Sequence, residues 1–277
     1  MLIDLHSHTT ISDGTDTPAE LLAKARGLGL DVLAVTDHDT FDHLPEVRAA
    51  ARREGIELLE GMEMSCEYAG ASVHLLAYGM DPDDADLGGE LARIREGRGD
   101  RLPRVLERLE ALGVGVSHDD VMRQVGEAPS IGRPHIADAL VAAGHVADRQ
   151  EAFDRFLAEG RPAYVGRYHP DLRHGIELIH AAGGLAVVAH PWGRASAEAL
   201  TEEVLADMVS AHALDGFEVD HEDHDPQQRA RLRALADRLD VLGTGSSDHH
   251  GLGKPTMPLA CNTTSPEAYA ELRRRLG

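Results

Sequence analysis

The sequence predicts an α/β fold: a TIM-like (β/α) barrel interrupted by a block of helices. Three observations carry this expectation. Apolar runs of strand length alternate with stretches of helical spacing at both ends of the chain. One run after another ends in His, Asp or Glu. One connection, from His74 to His190, is roughly three times as long as a single βα unit requires.

Each element has a local reason. "MLIDLH" is a short apolar strand. "TPAELLAKARGLGL" predicts a helix, with Thr17 as N-cap, Pro18 at the first helical position and Gly29 near the end. "DVLAVTDHD" is the second strand and "HLPEVRAAARREG" the second helix. "IELLEGMEMS" is the third strand, expected to end near Glu63, and "ASVHLLAYGM" is a further strand carrying His74. Later, "GLAVVAHP", "DGFEVDH" and "DVLGTGSSDHH" read as strands, with helices at 197–212, 226–239 and 266–276. Strands alternating with helices imply parallel βαβ units.

Between about residue 85 and residue 168 the pattern is almost wholly helical, as in "DRLPRVLERLEALG", "SHDDVMRQV", "PHIADALVAAG" and "RQEAFDRFLAEG". The chain therefore divides into a barrel, 1–84 and 169–277, and an inserted helical subdomain, 85–168, whose natural place is a cap over the barrel mouth.

Composition bounds the function. At 277 residues the chain suits one barrel, and 42% hydrophobic residues supply a sizeable core. A formal net charge of −21 repels nucleic acid at long range unless bound cations reverse the sign locally. Cys66 and Cys261 stand far apart and read as buried, reduced thiols. The start "MLIDLHSH" lacks a basic or apolar leader pattern, and no apolar run reaches membrane-spanning length, so a soluble cytoplasmic protein is expected.

The 17 histidines matter through their positions. Residues two apart on a strand share a face, so His6 and His8 can enter one pocket. Asp37, His38 and Asp39 stand at the exit of the second strand, His190 at the end of "AVVAHP", and Asp248, His249 and His250 in "SSDHH". In a parallel barrel such ends meet at one face. Imidazoles and carboxylates gathered there suit Mn, Fe(II) or Zn, and bridging carboxylates suit several cations held close together for phosphoryl chemistry. A lone histidine at a strand end is more often structural; the set as a whole favours metal.

"HSHTTISDG", "TDHD", "HLLAYG", "AHP" and "SDHHG", in this order, resemble the PHP (polymerase and histidinol phosphatase) superfamily. The resemblance spans residues 6 to 250. It implies a distorted seven-stranded barrel and a site for three divalent ions, Mn, Fe or Zn. By motif, His6, His8, Glu63 and Asp248 would hold the first. Glu63, His74 and His190 would hold the second, and Asp13, His38 and His250 the third. Asp37 and Asp39 would orient His38, and His249 would be a neighbour. Three dications against the carboxylates of Asp13, Glu63 and Asp248 would leave a local positive well for phosphate. The implied reaction is hydrolysis of a phosphoester, and the sequence offers no convincing Cys, Ser or Asp nucleophile motif.

A second clue is "PSIGRPHIADAL". Pro134 suits the first turn of a helix, so Gly132 and Arg133 stand at an N-terminus that favours an anion. Arg133 offers a bidentate phosphate fork. "GRPH" within a capping insertion resembles the PHP branch that acts on nucleoside 3′,5′-bisphosphates and RNA 5′ ends, which makes Arg133 and His135 phosphate binders. Arg194 and His224 are further candidates for substrate binding. Tyr164, Arg167 and Tyr168 could close the cap or simply pack, and Trp192 suits packing better than stacking on a base. The remaining histidines, 43, 118, 145, 169, 174, 180 and 212, read as structural or exposed.

The expected substrate is a nucleotide such as adenosine 3′,5′-bisphosphate, or short RNA; no membrane or obligate protein partner is expected. A histidinol-phosphate-type phosphatase and a non-catalytic nucleotide-binding module are the alternatives. The insertion weighs against the first and the full ligand set against the second. A polymerase proofreading domain is weakened by the absence of a polymerase segment.

Overall fold

The computed structural model describes residues 1–126, 128, 131–166, 168–193 and 196–277. Seven strands form one sheet in sequence order: β1 (Ile3–Asp4), β2 (Val32–Val35), β3 (Glu57–Tyr68), β4 (Ala71–Tyr78), β5 (Leu185–Val188), β6 (Gly216–Asp220) and β7 (Leu242–Gly245). A parallel bridge between Ser7 and His249, with the His8 amide donating to the His249 carbonyl at 2.9 Å, joins the last strand to the first. The ring is thus nearly closed.

The sheet is not uniformly parallel, which corrects the expectation from alternating strands and helices. β3 and β4 form an antiparallel hairpin across Ala69 and Gly70, and β4 also runs antiparallel to β5. Ala69 and Gly70 have φ values of 51° and 83°. Two left-handed residues in a two-residue loop match the twist of the flanking strands. β3 also runs past Glu63 to Tyr68, so Glu63 lies within a strand.

Alternation sorts the strand side chains. Ile3, Leu5, Val32, Ala34, Leu59, Leu76, Tyr78, Leu185, Val187 and Leu242 form the inner core. Tyr269 and Leu272 of α10 (Pro266–Leu276), the last helix, pack against it. The opposite faces of β1–β3, with Leu33 and Val35, pack on α1 (Pro18–Leu28) and α2 (Leu44–Glu54). Met62, Met64, Val73, Leu75, Val188, Phe217 and Val219 pack outward, in a cluster shared with α7 (Leu172–Ala181), α8 (Glu202–His212) and α9 (Pro226–Leu239).

The segment between β4 and β5 is helical, as expected: α3 (Ala85–Ala111), α4 (His118–Val125), α5 (Arg133–Ala142) and α6 (Arg149–Ala152), which continues as a π-turn over Phe153–Leu157. It has a core of its own, in which Leu102, Val105 and Leu109 meet Val121, Ile136, Leu140 and Phe156. The first turns of α3 belong elsewhere, because Leu87, Leu91 and Ile94 join the outer cluster of the barrel. Cys66 is buried but Cys261 is exposed, against the expectation of two buried thiols. Among the described residues no helix is long and apolar enough to cross a membrane.

Candidate metal centre

Glu63 is the hub of the site. Glu63 and Ser65 share a face of β3, and Ser65 pairs with His74 across the hairpin. His74 is therefore a diagonal neighbour of Glu63, and its Nδ1 lies 2.8 Å from Glu63 Oε1. A slip of one residue in this register would turn one of the two side chains to the other face and part them. β2 delivers His38 by a parallel bridge to Glu63, placing His38 Nδ1 3.2 Å from Oε2. β5 leaves the sheet beside β4, with the Ala189 amide donating to the His74 carbonyl, and His190 Nε2 then lies 3.4 Å from Oε1. His6 and His8 come from the chain after β1, with Nε2 atoms 3.2 and 3.1 Å from Oε2.

The other carboxylates complete the cluster. Asp248 Oδ1 lies 3.4 Å from Nε2 of both His6 and His8. Asp13, on the first loop, lies 3.3 Å from His250 Nε2 and 3.7 Å from His38 Nε2. Three groups result whose ligand atoms lie within 4.8 Å of one another: His6, His8, Glu63 and Asp248; His8, Asp13, His38 and His250; and His38, Glu63 and His74.

The donor set fits cations. Among the described residues, both Glu63 oxygens, His38 Nδ1 and His74 Nδ1 are buried with no hydrogen-bond partner. Buried polar atoms are normally satisfied, and a cation between them would satisfy several together.

Electrostatics agree. Burial would raise the Glu63 pKa, but His38, His74 and His6 hold it well below the carboxylate range. Burial would lower the His8 pKa, yet Asp248 and Glu63 raise it to about 9. Burial together with Lys254 brings His250 down to about 4.

Two residues not singled out in the sequence stand behind the cluster. Glu218 faces the barrel interior from β6, opposite to Phe217 and Val219, and is fully buried. It accepts from Ser246 Oγ and from the His190 amide at 2.8 Å, and its Oε1 lies 3.2 Å from His6 Nδ1. His221, also fully buried, lies with Nε2 3.5 Å from Asp248 Oδ2. The sequence signal for both was an ionisable residue in or just after an apolar strand whose end faces the site.

The remaining candidates separate. Asp37 accepts from Thr9 and Ser12, bracing the first loop, while Asp39 accepts from the amide and hydroxyl of Ser65. His249 is held by Asp16 and the Met257 carbonyl. Arg133 donates to the Leu157 carbonyl and lies over the Phe153 and Tyr164 rings. His135 Nδ1 accepts from the Gly132 amide. His224 Nδ1 engages the Val219 carbonyl and Nε2 accepts from the Trp192 amide, so both nitrogens brace loops. Trp192 is buried, donates to the Leu200 carbonyl and packs under Arg231. Tyr168 donates to Glu90. Arg194 and Arg167 lie outside the described residues.

Comparison with known proteins agrees with this geometry. Residues 4–123 match the PHP domain family. A 3′,5′-nucleoside bisphosphate phosphatase of Chromobacterium violaceum is 36% identical over 252 residues, covering 91% of this chain and 88% of the relative. A 5′-3′ exoribonuclease of Haemophilus influenzae is 34% identical, covering 89% of each. A solved structure from Bifidobacterium adolescentis, assigned as a metal-dependent phosphoesterase, superposes with a TM-score of 0.93 at 40% identity, over 98% of this chain and 95% of that one.

Proposed function

The chain belongs to the PHP domain family, and from that premise we propose that it is a metal-dependent phosphoesterase removing the 3′-phosphate of nucleoside 3′,5′-bisphosphates. Short 5′-phosphorylated RNA, trimmed from its 5′ end, is the related substrate, because the same ester at a 3′-oxygen is broken. The observation that carries the reading is Glu63, whose two buried oxygens face five imidazoles among the described residues.

His6, His8, Glu63 and Asp248 would hold one divalent ion, Glu63, His74 and His190 a second, and Asp13, His38 and His250 a third, with Mn, Fe and Zn all compatible. Bound cations supply an activated water and neutralise charge on the phosphoryl oxygens. The chain supplies the placement: Glu63 offers one oxygen to each side of the cluster, and Glu218 orients His6 and the His190 backbone.

The helical segment is read as the cap, with Arg133 and His135 holding the 5′-phosphate. Its position supports this. Arg149 pairs with Asp138 of α5 and donates to the Asp13 carbonyl at 3.1 Å, so α5 lies beside the cluster. Arg133 precedes Asp138 by five positions, about 7.5 Å along the helix axis. A TIM-like barrel with a cytoplasmic location completes the reading.

The test is phosphate release from adenosine 3′,5′-bisphosphate with Mn²⁺, with 3′-AMP as comparison. Release of 5′-AMP and phosphate, with 3′-AMP much slower, is expected. Equal rates on both would refute the 5′-phosphate pocket, and no turnover by metal-loaded protein would refute the activity.

A further inference from the structure

The two oxygens of Asp248 have different neighbours. Oδ1 faces Nε2 of His6 and His8 and Nδ1 of His250, each at 3.4 Å. Oδ2 receives Lys254 Nζ at 2.7 Å and has His221 Nε2 at 3.5 Å.

The state of His221 follows from its other nitrogen. Nδ1 accepts the Asp223 amide at 3.1 Å. An amide only donates, so Nδ1 carries no hydrogen and Nε2 does. The Asp223 carboxylate, 3.9 Å from Nδ1, is beyond hydrogen-bonding distance. His221 is fully buried, and among the described residues its Nε2 makes no hydrogen bond, Asp248 Oδ2 at 3.5 Å being the carboxylate oxygen that it faces. A nitrogen bearing hydrogen offers no lone pair to a cation, which sets His221 apart from the histidines that face Glu63.

We propose that Lys254 and His221 form a positioning pair behind Asp248 Oδ2, which keeps Oδ1 turned towards the cation shared with His6 and His8. The inference rests on the ligand reading of Asp248 given above. Partners behind a ligating group fix its orientation, and losing one typically weakens metal binding about 10–100-fold.

The experiment measures Mn²⁺ binding by equilibrium dialysis with metal analysis, alongside kcat and KM for adenosine 3′,5′-bisphosphate, in Asp248→Asn, His221→Phe, His221→Gln, Lys254→Met and Lys254→Arg. His221→Phe and Lys254→Met should each weaken Mn²⁺ binding about 10–100-fold. His221→Gln and Lys254→Arg, which keep a donor, should restore most of it. Lys254 is partly exposed, so Lys254→Met carries the test if His221→Phe folds poorly.

Wild-type Mn²⁺ affinity in both donor-less variants, with Asp248→Asn impaired, would overturn the positioning pair but leave the ligand reading intact. Wild-type affinity in Asp248→Asn would overturn both. A raised KM at unchanged Mn²⁺ affinity in Lys254→Met would make Lys254 a substrate contact and overturn the pair. Loss of a whole metal equivalent in His221→Phe without recovery in His221→Gln would make His221 a ligand, with the same consequence.

Discussion

Glu218→Gln isolates one atom of the site. The wild-type carboxylate only accepts: Oε1 from Ser246 and towards His6 Nδ1, Oε2 from the His190 amide. Glutamine keeps the shape but replaces one oxygen with an amide group that cannot accept. If the amide takes the Oε2 position, it faces the His190 N–H. If it takes the Oε1 position, His6 loses the acceptor that holds its Nε2 towards Glu63 and Asp248. Either way a buried donor loses its partner, at a cost of about 1–3 kcal/mol. Where His6 is the donor that loses its partner, the matching upper bound on lost metal affinity is about 5- to 150-fold, since 1.4 kcal/mol is tenfold; where the His190 amide is, the cost falls on melting temperature. The assay is Mn²⁺ binding at fixed pH with melting temperature measured in parallel. Metal binding within about threefold of wild type together with an unchanged melting temperature would refute the argument, because no rotamer of glutamine keeps every bond.

Four further outcomes are expected. In the cation-free protein the His8 pKa stands at about 9, so Mn²⁺ binding at pH 7 should release at least one proton and tighten as pH rises towards 9; calorimetry in two buffers of different ionisation heat checks this, and zero release would refute it. By the same raised value, His8 stabilises the cation-free fold fully below pH 6.5, and this contribution is lost as pH rises through about 9. Arg149→Met removes the tie between Asp138 and the Asp13 carbonyl and should destabilise by about 1–3 kcal/mol, with faster amide exchange in residues 9–14 if the tie holds that loop. Gly14→Ala would place a Cβ 2.6 Å from the His8 carbonyl oxygen, so the loop must shift; it should weaken Mn²⁺ binding through Asp13 more than through Glu63, read as a lower metal stoichiometry.

Much of the fold was legible because its signals are local. Thr17 does cap α1, in a reciprocal box with Glu20, and Gly29 ends it in the left-handed conformation. The ligand candidates were legible because ionisable residues at the ends of apolar runs conflict with burial unless something satisfies them. Strand direction was not legible. "ASVHLLAY" pairs equally well either way, and Ala69 at a left-handed position is a weaker turn signal than Asn or Asp. Glu218 was hidden for a related reason: a single charged residue between Phe217 and Val219 reads as the solvent face of a strand, but in a closed ring that face is the interior. The relation of Arg133 to the cluster depends on Arg149, Asp138 and Asp13, residues far apart in the chain whose meeting only packing decides.

Backbone conformation links this architecture to the chemistry. Asp39, His190 and Asp248 all follow strands, and their φ values of 56°, 31° and 52° are unfavourable for residues with a Cβ. Each is clamped by a side-chain bond: Asp39 to Ser65, the His190 amide to Glu218, and Asp248 to Lys254. Strain of this kind persists only where surrounding bonds over-determine it. At Asp248 it can be separated from ligation by comparing two variants that both lack the carboxylate. Asp248→Ala keeps the Cβ, with a left-handed cost of about 1–2 kcal/mol. Asp248→Gly removes that cost but adds about 0.5–1 kcal/mol of chain entropy in the unfolded state. The glycine variant should therefore be the more stable by about 0.5–1 kcal/mol in the absence of cations, while both bind Mn²⁺ poorly. Equal or higher stability of the alanine variant, measured by denaturant unfolding at the same pH, would show that the conformation at Asp248 is not strained.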